Sequence, residues 1–208
     1  MEIMNFLKDK NCPWNENTFI CAVKHGDLDI LKWLKDKGCP YDYTVFDYAA
    51  QHGKLKIMKW LRKIKCPWVP DTFAKAALYG NLDNMKWLRK KGCPWNSDTF
   101  AHTAKCGNLD NMKWLKQENC PWGPHTFECA AKHGNLENMI WLKGNGCPWD
   151  SDTFVAAVKF GNLENIKWLR NNGCPWDKKA FYKSLKYENS DVTNWLQDNG
   201  CPGSNLEE

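Results

Sequence analysis

The residues with most chemistry open to them in this 208-residue chain are its 11 cysteines and five histidines. Thiolates bind zinc, pair as disulfides or attack electrophiles; imidazoles bind metals and move protons. Cys12, Cys39, Cys66, Cys93, Cys120, Cys147, Cys174 and Cys201 are each followed by Pro, and every gap between them is 27 residues. Cys21, Cys106 and Cys129 stand outside the series. The total is odd, and the main series falls once per period. Successive elements of a stack lie roughly 10 Å apart, whereas a disulfide needs Cα atoms within about 7 Å. No CxxC or CxxH pair starts a zinc site. The cysteines therefore read as free, buried thiols in a reducing compartment, with no metal and no cofactor. His25, His52, His102, His125 and His133 are spread along the chain without a repeated Ser, Asp or Glu partner, and no Gly-rich phosphate loop occurs. Enzyme chemistry is not expected.

The spacing says more about architecture than about catalysis. A fixed period of 27 without insertion or deletion marks a stack of supersecondary units. In such a stack, length counts copies and not domains. Residues 1–11 fit as a half unit, its second helix only, because Phe6 and Leu7 stand 27 before Trp33 and Leu34. Seven full units occupy 12–200, the last of them, 174–200, reading as a cap; 201–208 is a polar tail. Hydrophobic residues make up 43% of the chain and Trp numbers 13, enough for a continuous core. The N-terminal stretch has no long apolar run and no window nears 18 apolar residues, so neither a signal peptide nor a membrane span is expected. A net charge of +5 leaves room for an acidic partner without demanding nucleic acid.

Each unit carries two helical patterns. The first follows Pro-Trp, opens on Asn15, Asp42, Asn96, Asp150 or Asp177 as N-cap, or on Pro70 and Pro124 at the first helical position. Phe19, Phe46, Phe73, Phe100, Phe127, Phe154 and Phe181 lead that helix, with small residues three and four later on the same face. Gly26, Gly53, Gly80, Gly107, Gly134 and Gly161 end it. The second opens on Asn81, Asn108, Asn135 or Asn162 and runs through Leu, Met or Ile to Trp-Leu. Gly38, Gly92, Gly146, Gly173 and Gly200 close it.

This order resembles the ankyrin repeat. In the sixth unit Phe154 falls on the Leu of T-P-L-H, and Ala157 with Val158 on its Ala pair. Gly161 falls on the Gly, Asn162 on the His, Trp168–Leu169 on the Leu pair, and Gly173–Cys174 on Gly-Ala. The likeness recurs seven times over about residues 1–202. T-P-L-H itself is absent, and the period is 27 where the family's is about 33. The resemblance implies an all-α, ankyrin-type helix-turn-helix solenoid, here without β-hairpin fingers. The Cys-Pro-Trp wording and short period resemble the ankyrin arrays of large DNA viruses of amoebae. That likeness implies a viral protein; with its thiols reduced, a monomer inside the cell, in the cytoplasm or host cytoplasm, is expected.

The same resemblance points to the partner site. In ankyrin proteins the two residues before the first-helix Gly face the concave groove. They are Lys24–His25, Gln51–His52, Leu78–Tyr79, Lys105–Cys106, Lys132–His133, Lys159–Phe160 and Lys186–Tyr187. Five of the seven first members are Lys; the second members are three His, two Tyr, one Phe and one Cys. A solvated Lys face is the plain reading of the first column. Variation here beside nearly constant core columns suits recognition of an acidic protein segment with apolar anchors. The expected function is a protein-binding scaffold or adaptor, with a basic nucleic-acid-binding solenoid as its rival. The Pro-Trp series (Trp14, Trp68, Trp95, Trp122, Trp149, Trp176) reads as glue between units and not as a platform for bases.

Overall fold

A computed structural model of the protein describes residues 5, 9–10, 12–79, 81–133, 136–160 and 162–204. Phe6 and Leu7 of the expected half unit, Gly80, Gly134, Asn135, Gly161 and the end of the tail lie outside the described residues.

Fourteen helices and no strand occur among the described residues, alternating as first and second members of a pair. They are α1 Glu16–His25, α2 Leu28–Asp36, α3 Tyr43–Gln51, α4 Leu55–Lys63, α5 Pro70–Leu78, α6 Leu82–Lys90 and α7 Ser97–Cys106. The series continues as α8 Leu109–Gln117, α9 Pro124–His133, α10 Leu136–Gly144, α11 Ser151–Phe160, α12 Leu163–Asn171, α13 Lys178–Lys186 and α14 Ser190–Asp198. The all-α expectation holds, and no hairpin fingers project from the described connections. Two compact units divide the chain, Met1–Trp95 and Asn96–Glu208. In each, odd-numbered helices pack on one another and each even-numbered helix packs on its own partner.

The helix ends follow from the side chains there. Asn15 and Asp42 accept from the amides two residues on, Asn17 at 3.0 Å and Thr44 at 2.9 Å, as Ncap residues do. Thr72 turns its hydroxyl back to accept from the amide of Val69 at 3.1 Å, so a helix that starts on Val still has a capped end. Second helices end in a Schellman motif: the Cys39 amide donates to Leu34 O at 2.9 Å and that of Cys147 to Leu142 O at 3.0 Å. The residue before each such Cys takes positive φ, which favours Gly; Lys65 (φ 60) and Asn119 (φ 59) take that strained place without one.

The core is a set of ladders. Phe19, Phe46, Phe73, Phe100, Phe127 and Phe154 are fully buried, as are Leu34, Leu61, Leu88, Leu115, Leu142 and Leu169. Cysteines from Cys39 onward in the 27-residue series are buried too, while Cys12 is exposed. Among the described residues, all of these buried thiols but Cys93 donate to a backbone carbonyl, a task that Ala could not fill. Cys66 Sγ donates to Asp42 O at 3.4 Å, Cys147 Sγ to Gly123 O at 3.6 Å and Cys174 Sγ to Asp150 O at 3.5 Å. Each acceptor is the carbonyl of the residue that starts the preceding first helix, 24 positions back. Burial pushes the thiols of Cys66, Cys93, Cys147 and Cys174 up to about 12, so all four are protonated at neutral pH and Cys66, Cys147 and Cys174 can donate.

The end of the chain differs from the sequence reading in two places. Ser184, which stands where most other repeats have Ala and was read as part of a cap, is fully buried and donates to Phe181 O at 2.8 Å. The start of the polar tail is packed: Cys201 and Ser204 are buried, and Gly203 lies against Lys178 and Tyr182. Residues 201–204 thus cover α13 as the connection of a following repeat would. Tyr182 and Leu185 remain exposed, so the outer face there is less polar than the cap reading expects.

Candidate functional site

Every residue of the expected strip sits in the last turn of a first helix or just past it, where a cation complements the helix dipole. In the unit Met1–Trp95 these are Lys24, His25, Gln51, His52, Leu78 and Tyr79. His52 lies between two rings, 4.3 Å from Tyr48 and 5.8 Å from Tyr79, and Tyr79 is exposed.

In the unit Asn96–Glu208 the strip continues as Lys105, Cys106, Lys132, His133, Lys159, Phe160, Lys186 and Tyr187. Here it borders a groove of about 500 Å³ across α7, α9 and α11. Lys105, Lys132, His133, Lys159 and Phe160 line it, with Asp98 and Glu128 also contributing. Phe160 is 48% exposed, 6.0 Å from His133 and 4.8 Å from the Lys132 ammonium. Lys159 reaches Phe160 at 5.6 Å and Tyr187 at 5.4 Å. These cation–ring contacts hold the ammonium groups beside an open aromatic face. Burial first, then Lys105 and Lys132, push the His133 imidazole below its ordinary value, so it is neutral at pH 7. The groove therefore offers lysine charge, a neutral ring and an apolar anchor point. Cys106 is exposed as a residue, yet burial of its sulfur raises its thiol against the pull of Lys105.

His125 and His133 share α9, and His125 has partners that the sequence reading passed over. Its Nδ1 lies 3.4 Å from Glu128 Oε2 and its Nε2 3.7 Å from Cys129 Sγ. Acid, imidazole and thiol are ordered as in a nucleophilic triad. The chemistry does not follow. Burial and then Glu128 raise the Cys129 thiol, which keeps it protonated, the inert form. Spacing at i, i+3 and i+4 on one helix would have shown the cluster in the sequence. No group of three or more His, Cys, Asp or Glu among the described residues is placed to hold a metal ion.

Three further arrangements went unread. Half-buried connection Trp residues each carry a cation: Arg62 over Trp68 and Arg170 over Trp176 at 4.1 Å, Lys116 over Trp122 and Lys143 over Trp149 at 3.6 Å. The same rings meet the core Phe of the preceding repeat, as Phe127 meets Trp149 at 5.0 Å, which fits the expected glue. Buried Asn84, Asn138 and Asn165 donate to Ala50 O, Ala104 O and Ala131 O, 34 residues back. An Asn three residues after the Ncap in four successive repeats, Asn84, Asn111, Asn138 and Asn165, was the available signal. The third is a basic cleft of about 550 Å³ between α4 and α6, lined by Lys59, Arg62, Lys63, Trp87 and Lys91.

No helix among the described residues is long and apolar enough to cross a membrane. Residues 19–62 match the family model described as ankyrin repeats (many copies). No curated protein matches the chain. Among solved structures, the human ASB11 ankyrin repeat domain is similar at 18% sequence identity and a TM-score of 0.58. That likeness covers 78% of this chain and 85% of that one. With the helix pairs and their Schellman ends, it makes the fold an all-α, ankyrin-type array of helical repeats.

Proposed function

We infer that the protein is a non-catalytic scaffold or adaptor that binds a protein partner through the strip at the ends of its first helices, the concave face of ankyrin-type arrays. Ankyrin repeats generally serve protein–protein interaction. The observation that carries the reading is Phe160, half exposed on the rim of the 500 Å³ groove with two lysine ammonium groups against it. Aromatic rings such as Phe are enriched at the centres of interfaces. Lysines beside it select a segment that brings acidic side chains around an apolar one. Buried, protonated thiols suit a reducing compartment of the cell. The short period and Cys-Pro-Trp wording favour a source among large DNA viruses of amoebae, acting as a monomer in the host cytoplasm.

The test is photo-crosslinking. A photoreactive side chain at position 160 captures the partner in native-cell extract; the same group at exposed position 167, on α12, does not. Lys132→Glu with Lys159→Glu abolishes capture while the melting curve stays unchanged. Equal capture from both positions, or capture that survives the charge reversal, refutes the strip.

A further inference from the structure

The charge of this chain is not spread evenly. Residues 51–95 hold eleven Lys and Arg against two acids, Asp71 and Asp83, a net +9 with His neutral. The rest of the chain is net negative, since the whole is +5. Much of the excess lies on the second helices, away from the first-helix ends. On α4, Lys59, Arg62 and Lys63 stand at i, i+3 and i+4 and so share one face. Lys91 stands four residues after Trp87 and joins that residue across the cleft. All four cations are exposed, and among the described residues none has an acid within ion-pair distance. Four charges without a carboxylate partner, of which Arg62 also lies over the Trp68 ring, focus a positive potential around one concavity. The half-buried Trp87 ring stacks against Phe46 at 6.4 Å and meets Trp68 edge-on, and what remains open of it lines the cleft.

We propose that this cleft, formed by Lys59, Arg62, Lys63, Trp87 and Lys91, is a second binding site, for single-stranded nucleic acid. The ring decides among anions. A peptide whose acidic groups carry no apolar neighbour, unlike the segment inferred for the Phe160 groove, would use the cations and leave the indole idle. A duplex keeps its base faces stacked inside and presents only edges and phosphates. A single strand offers both phosphates for the rim and a free base face for the ring. The site is separate from the first-helix strip and does not depend on it.

Fluorescence anisotropy of a labelled oligo-dT across a salt series tests this. Neutralising about four phosphates gives a slope of log K against log salt near −3, at about −0.7 per contact on a single strand. Lys63→Glu with Lys91→Glu, both at exposed positions, lowers affinity at least tenfold and roughly halves the slope, with an unchanged melting curve as the control for folding. An abasic oligonucleotide of equal charge binds about tenfold more weakly, because a stacked base is lost. Lys132→Glu with Lys159→Glu leaves oligo-dT binding intact, which separates this site from the strip. Equal affinity for the abasic strand or for polyglutamate of the same charge overturns the proposal, as does binding unmoved by the Lys63 and Lys91 reversals.

Discussion

The cleft between α4 and α6 and the groove across α7, α9 and α11 are built on the same two-helix repeat, yet they offer opposite chemistries. The cleft lies on second helices and has cations with no acid in its lining. The groove lies on first helices, mixes Lys with Asp98 and Glu128, and opens an apolar ring to solvent. Both regions bury the same Phe, Leu and Cys ladders to the same depth. The columns that repeat build the stack, and the columns that wander set what each face can hold. If that division is right, substitutions in ladder columns cost alike in either compact unit, while one-off residues cost only where they sit.

The largest effect comes from removing the end of the stack. Deleting residues 174–208 takes away Trp176, which packs on Phe154 at 5.4 Å, and Cys174 Sγ, which donates to Asp150 O. It also removes α13, which packs on α11. Each large side chain returned to water costs roughly 1.5–3 kcal/mol. The truncated protein should lose several kcal/mol or aggregate, read by urea unfolding and light scattering. A monomer with an unchanged melting curve would show that the last repeat is drifted sequence and not a cap.

How far the sequence could be read divides along the same line. The helix pairs and the Phe, Leu and Cys columns followed from spacing within a period of 27, because burial is imposed by registry, while the absence of strands among the described residues was what the ankyrin resemblance implied. The first-helix strip was legible as positions. Its grouping into a groove beside Phe160 was not, since which of seven repeats gathers open space depends on side-chain size at Ala101, Cys129 and Ala156. The thiol-to-carbonyl bonds were invisible because Cys was read as a small hydrophobe. The basic cleft escaped notice because charge was weighed over the whole chain, where residues 51–95 are masked by acids elsewhere.

A middle-sized effect belongs to a one-off residue. Asp47 is buried, while the other repeats put Ile20, Ala74, Ala101, Glu128, Val155 and Tyr182 in its column. Its carboxylate accepts from the Thr72 hydroxyl and from Lys75 Nζ at 3.0 Å. The equivalent Thr99 hydroxyl is buried with no partner among the described residues, so a repeat folds without this link. Asp47→Ala should therefore cost about 1–2 kcal/mol, the lower part of the range for an orphaned polar group, because Lys75 can turn to Asp71 at 3.1 Å or to water. The urea midpoint measures it. A loss above about 3 kcal/mol would mean that a one-off residue supports the stack as a ladder does, against the division drawn above.

The smallest and sharpest test compares one ladder column across the two units. Cys66 lies in Met1–Trp95 and Cys147 in Asn96–Glu208, and burial raises both thiols from 9.0 to about 12. Below pH 9 folded and unfolded states both keep the proton, so the thiol adds no pH dependence. Above pH 9 the unfolded chain releases it while the folded chain holds it until about pH 12. Stability therefore falls as pH rises through that window, by up to about 1.4 kcal/mol per pH unit for each such thiol. Ionisations that the thiol does not touch are common to parent and variant and cancel in the difference; Tyr41, pushed up by burial and then by Cys66, adds a little to the relief in Cys66→Ala. Cys66→Ala and Cys147→Ala should each change stability by about 1 kcal/mol at pH 7, for a lost weak donor and a small void. Between pH 9 and 12 each variant should lose stability less steeply than the parent, by one proton. Near-equal relief in both variants is the expected outcome of chemical denaturation across that range. Relief in one alone would show that the Cys column is not the same structural device in the two units, and the comparison would fail at its most repeated residue.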